Sequence, residues 1–169
     1  MASSNGIRYT ASNCPSPPQI AAVSPKLWQP SLRHTSETSS TGTGCQLWLA
    51  SRAGVLWSAV AGRIESLVRE AGFSVVTEYV GHGIGSRMWE EPRVPNYVGA
   101  DMLRDDFLLI ENMTFAVEPM VNMGRKDVRE TDDGWTVVTC DGQPSAHFED
   151  TFLVTGQGAE PLTRWQGQH

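Results

Sequence analysis

The sequence predicts an α+β domain in which one amphipathic helix packs on an antiparallel sheet. Two observations carry this expectation. From Val55 to Ala71 the apolar residues Leu56, Trp57, Val60, Ile64, Leu67, Val68 and Ala71 recur at helical spacing. After Gly72 the chain changes to short β-branched and aromatic runs punctuated by turn signals such as Asp141-Gly142. At 169 residues and 40% hydrophobic content, the chain suffices for one domain with its own core plus an appendage.

The appendage is N-terminal. Residues 1–50 are expected to be low-complexity and disordered, because Pro15, Pro17, Pro18, Pro25 and Pro30 interrupt them and Thr35 to Gly44 is almost entirely Ser, Thr and Gly. A net charge of −6, a pI near 5.1 and scattered basic residues exclude a nucleic-acid footprint. No apolar run reaches the roughly 18 residues of a membrane span, and the N-terminus lacks a secretory layout. Three widely spaced cysteines, Cys14, Cys45 and Cys140, suggest reduced thiols and a cytoplasmic setting. The acid-poor N-terminal composition also leaves an organellar transit peptide open.

Taken in order, the helix that begins near Val55 ends at Gly72, the residue type favoured just past a helix end. Phe73 to Tyr79 is expected to be a strand leading into a tight turn that holds His82, with Gly81, Gly83 and Gly85 supplying backbone angles closed to other residues. Glu90 to Tyr97 reads as a loop, since Pro92 and Pro95 forbid a regular helix or a central strand. Met113 to Asn122 is the next expected strand, and Glu118 within it is costly to bury without a partner. Thr131 to Gly134 is a turn, Trp135 to Cys140 a strand, and His147 to Thr155 the final strand. Period two puts Glu149 on the same face as His147, Thr151 and Leu153.

One histidine and two glutamates on rigid supports, His82, Glu118 and Glu149, are the donor types a borderline divalent metal takes. Three such ligands with an open position polarise a carbonyl or acidify a bound water. The residue types alone also allow a turn histidine and two solvent-facing strand glutamates.

Five linked motifs narrow the choice. Gly81-His82-Gly-Ile-Gly with Glu90-Glu91-Pro92, then Phe115-Ala-Val-Glu118-Pro-Met-Val-Asn122, Asp133-Gly-Trp135-Thr-Val and Ser145-Ala-His-Phe-Glu149-Asp-Thr resemble, in order and spacing, the C-terminal half of type I methionine aminopeptidases. The resemblance spans residues 54–163 and leaves 164–169 as a tail. It implies a pita-bread fold, here only its second half, as a curved antiparallel sheet with a packed helix. It also implies metal-dependent removal of N-terminal methionine from nascent proteins or peptides. By this likeness His82, Glu118 and Glu149 are metal ligands, and Glu118 handles the proton of the attacking water. Trp135 lies at the methionine pocket, core packing being the other reading of that indole. The metal is Co, Mn, Fe or Zn.

The departures are as specific as the match. The family takes two further ligands from upstream aspartates, yet no Asp precedes Asp101 here, so at most one of the family's two metals is expected. Trp89 replaces the family histidine before Glu-Glu-Pro, and an indole donates a hydrogen bond but neither accepts one nor shuttles a proton. Two alternatives follow. One is a truncated, non-catalytic remnant or binding protein that self-associates through an uncovered sheet face. The other is a proline-specific pita-bread peptidase.

Overall fold

The computed structural model describes residues 51–163. The expected low-complexity segment 1–50 and the tail 164–169 lie outside the described residues. Helix α1 runs Trp57–Glu70 and buries Trp57, Val60, Ala61, Ile64 and Val68, the expected apolar stripe. No side chain of its own caps the start. The first N–H groups instead reach across the fold: Trp57 donates to the Phe107 carbonyl at 2.9 Å, and Ser58 to the Asp106 carboxylate at 3.0 Å. An acidic group at a helix N-terminus satisfies both the orphan donors and the helix dipole.

At the other end, Gly72 takes φ 84°. Gly72 donates to the Arg69 carbonyl at 2.9 Å and Phe73 to the Val68 carbonyl at 3.0 Å. This paired closure needs a left-handed residue, which is why the helix stops at a glycine.

The strands are β1 (Ser74–Val75), β2 (Gly81–Ile84), β3 (Glu90–Val94), β4 (Thr114–Val117), β5 (Met120–Asn122), β6 (Val128–Glu130), β7 (Val137–Thr139), β8 (Ser145–His147), β9 (Asp150–Val154) and β10 (Ala159–Pro161), with a short helix α2 at Ala100–Arg104. Antiparallel pairing gives a five-stranded sheet ordered β10-β9-β4-β2-β3, a three-stranded sheet β1-β5-β8, and a β6-β7 hairpin. The α+β class and the antiparallel sheet are as expected.

Helix α1 lies across both sheets. Its first turns pack Trp57, Val60 and Ile64 against Val94, Phe115, Val117, Phe152 and Val154 of the larger sheet. Its last turn packs Val68 against Val75 and Val121 of the smaller one, with Phe73 and Tyr97 at the margin. Trp57 anchors the main core. Its ring stacks on Phe107 at 6.0 Å, meets Phe115 edge-on at 5.3 Å, and donates Nε1–H to the Pro95 carbonyl at 2.8 Å. A buried indole with its N–H satisfied contributes its full apolar area to the core.

Several expectations are corrected. The strand expected over Phe73 to Tyr79 is only Ser74–Val75, and Trp135 precedes β7 in the hairpin turn instead of opening that strand. The loop expected at Glu90 to Tyr97 contains β3, an edge strand, where a proline is tolerated. Its register on β2 jumps from His82↔Arg93 to Gly83↔Glu90, leaving Glu91 and Pro92 unpaired in the bulge. The expected strands 113–122 and 147–155 are each split, into β4 and β5 and into β8 and β9. Cys140 is disulfide-bonded, whereas Cys14 and Cys45 lie outside the described residues. Among the described residues, no helix is long and apolar enough to cross a membrane.

Candidate metal centre

The two strand breaks coincide with the glutamates. Pro119 lacks an N–H and cannot continue a ladder, so the strand leaves the five-stranded sheet after Val117 and enters the three-stranded one at Met120. Opposite it, the partner strand breaks at Phe148 and Glu149. Both pairings share one register: Val117 faces Asp150, and Met120 faces His147. Continuing that register sets Glu118 opposite Glu149 at the junction of the sheets.

His82 approaches from β2, the strand beside β4. Gly83 pairs with Phe115, so the antiparallel run carries His82 toward the Glu118 end of β4. The glycines around it serve a different purpose from the expected one. None of Gly81, Gly83 and Gly85 is among the glycines with positive φ. A Cβ on Gly81 would strike the Ala116 carbonyl and one on Gly83 the Glu91 carbonyl, so β2 is glycine-rich because neighbouring backbone presses on it. His82 is accordingly a strand residue, not a turn residue.

One ligand atom from each of His82, Glu118 and Glu149 lies within 4.8 Å of the others. His82 and Glu118 side chains are only 17% and 15% exposed, with Nε2 3.7 Å from Oε1. Glu149 is exposed. His82 Nδ1 is 3.0 Å from the Gly83 carbonyl. A carbonyl only accepts, so Nδ1 carries the proton and the Nε2 lone pair faces the two carboxylates, the tautomer a metal ligand needs. The donor set and spacing fit a divalent metal.

The flanking residues divide. Trp89 meets the His82 ring edge-on at 6.0 Å while remaining 72% exposed. It sits in the loop between β2 and β3, where the Glu90 carboxylate accepts from Arg87 N–H at 2.8 Å and Ser86 Oγ at 3.0 Å. The Arg87 N–H first, then the Ser86 hydroxyl, hold the Glu90 pKa below its usual 4.5. Trp135 is 87% exposed, which rules out its reading as core packing. It is not brought into the cluster. Its turn is organised by Asp133, which accepts from both Thr131 and Thr136 hydroxyls at 2.6 Å and from the Trp135 and Thr136 N–H groups at 3.0 and 2.8 Å. Those donors, the hydroxyls first, depress the Asp133 pKa strongly.

His147 is the site residue that sequence reasoning passed over. Its Nε2 lies 3.3 Å from Oε2 of Glu118. The available signal was its position two residues before Glu149 on one strand face.

Known proteins resemble this chain in sequence and in fold. Residues 46–156 match the model for "Metallopeptidase family M24". The chain is 46% identical over 104 residues to a methionine aminopeptidase of Clostridium perfringens, covering 62% of this chain and 41% of that one. It is 45% identical over 120 residues to the methionine aminopeptidase of Escherichia coli K12, covering 69% and 44% respectively. Among solved structures, methionine aminopeptidase from Thermotoga maritima superposes with a TM-score of 0.64 at 38% identity, over 75% of this chain and 49% of that one. Prolidase from Pyrococcus furiosus, at 21% identity and a TM-score of 0.50, shares the fold alone. The chain thus spans less than half the length of these curated relatives, and its architecture is part of a pita-bread fold. A chain with this fold, this His-Glu-Glu cluster and a family match over most of its length belongs to metallopeptidase family M24.

Proposed function

We propose that this chain takes part in metal-dependent removal of N-terminal methionine, with His82, Glu118 and Glu149 as ligands of one divalent ion. The convergence of those three side chains at one sheet junction carries the reading. A divalent ion held there would polarise the peptide carbonyl and acidify a coordinated water. The chain's own part is to fix the donors. The Gly83 carbonyl sets the His82 tautomer, the β4–β9 register sets the two carboxylates face to face, and Glu118 accepts the proton lost by the attacking water. Trp89, packed edge-on against His82, would border the substrate's entry without exchanging a proton.

The experiment is methionine release from a Met-Ala-Ser peptide by the 1–169 chain loaded with Co(II) or Mn(II). Release that disappears in Glu118→Gln is the expected result, and neither release nor metal uptake by the wild type would sink the reading. The likeness of 38–46% to methionine aminopeptidases, against 21% to a prolidase, favours methionine over proline specificity.

A second reading, docking onto another copy or chain, is favoured by a separate observation. Leu56 and Leu108, joined by a β-bridge, are exposed together with Ile110. Exposed apolar clusters of this kind mark contact surfaces. Size-exclusion chromatography checks it: a dimer that a Leu108→Glu, Ile110→Glu variant disperses supports it, and a wild-type monomer removes it.

A further inference from the structure

His147 ends β8 opposite Met120 of β5, and its side chain is 43% exposed. The Glu118 carboxylate has an imidazole at each oxygen. Oε1 is the one turned toward His82 Nε2, at 3.7 Å, whereas Oε2 is 3.3 Å from His147 Nε2. The convergent ligand group consists of His82, Glu118 and Glu149 without His147. The second imidazole therefore meets Glu118 at the oxygen other than the one turned toward His82.

We infer that His147 is a positioning residue whose Nε2–H holds Oε2 of Glu118, and so keeps Oε1 directed at the metal position. The inference rests on the reading of a metal at His82, Glu118 and Glu149. A glutamate's terminal torsion is broad, so a carboxylate gripped at neither oxygen samples orientations that do not face the ion. Glu118 lies just before Pro119, where the backbone passes between sheets and ladder bonds are interrupted. Its orientation must then come from side-chain partners. His147 is well placed for this because β5 and β8 keep the register of β4 and β9, tying both residues to one ribbon. Outer partners of this kind are a regular part of metal sites: ligating carboxylates are themselves held by donors from behind.

The test uses the 1–169 chain and Zn(II) alone, titrated in the presence of a competing chelator. In His147→Ala the zinc affinity should fall roughly 10- to 100-fold, while the metal-free melting temperature stays unchanged. In His147→Gln, whose amide N–H reaches toward the same oxygen, most of the affinity should return. Independently of any variant, ¹⁵N NMR of the wild-type histidines should show zinc shifting Nε2 of His82 while Nε2 of His147 keeps its proton. Wild-type affinity in His147→Ala would overturn the proposal, and so would a direct zinc shift at His147 Nε2, which would make it a ligand. Failure of the wild type itself to bind zinc would instead overturn the metal centre on which the proposal rests.

Discussion

Glu118 and Glu149 stand opposite each other in a shared register, at the point where two paired strands pass from a five-stranded sheet into a three-stranded one. Two carboxylates so placed repel unless a cation lies between them. Neutralising Glu149 should therefore leave the metal-free protein as stable as before or more so, and remove its response to metal. At a Co(II) concentration 100 times Kd, wild type should gain about 2.7 kcal/mol. Thermal melts of Glu149→Gln with and without Co(II) should show most of that gain lost, and an undiminished gain would remove Glu149 from the ligand set.

The glycines flanking His82 predict a graded series. Gly83→Ala drives a methyl into the Glu91 carbonyl and Gly81→Ala into the Ala116 carbonyl, both backbone atoms in adjacent strands. Each should cost ~1–3 kcal/mol or more, as overpacking does where the neighbour cannot move. Gly85→Ala meets the carboxylate of Glu90, the end of a flexible side chain, and should cost less. Urea denaturation of the three variants checks the order, and equal losses would contradict it.

Trp57 joins the helix, the main sheet and the loop after β3 through Phe107, Phe115 and the Pro95 carbonyl. Trp57→Ala should destabilise by ~3–5 kcal/mol. Trp57→Phe keeps much of the apolar volume but strands the Pro95 carbonyl, and should cost ~1–3 kcal/mol. Calorimetry or denaturant titration distinguishes the two losses.

The loop carrying Trp89 should loosen in acid. Glu90 is held below its usual pKa of 4.5 by the Arg87 N–H and then the Ser86 hydroxyl. A depressed carboxylate contributes order that is present above its unfolded value and lost as pH falls through its folded value. Trp89 fluorescence, followed in a variant that retains this indole as reporter, should change as pH drops below 4.5, whereas Glu90→Gln should show no such titration. Glu90 is exposed, so global stability should move little.

The amino-acid sequence by itself determined the α+β class, the helix with its apolar stripe and its stop at Gly72, and the candidate donor trio His82, Glu118 and Glu149. Those features are local or carried by motif: a 3.6-residue period, a glycine needed for φ 84°, and donor residues in a recognisable order. What only the tertiary structure decided lies between strands. Whether His82 turns or extends depends on how closely Glu91 and Ala116 press on its glycine neighbours. Whether 113–122 and 147–155 are strands or pairs of strands depends on the second sheet drawing Met120–Asn122 and Ser145–His147 away. Periodicity along one chain does not contain that information, because a strand's run is set by the partners that accept its hydrogen bonds. The same holds for His147, whose place beside Glu118 is made by a pairing that no single stretch of sequence displays.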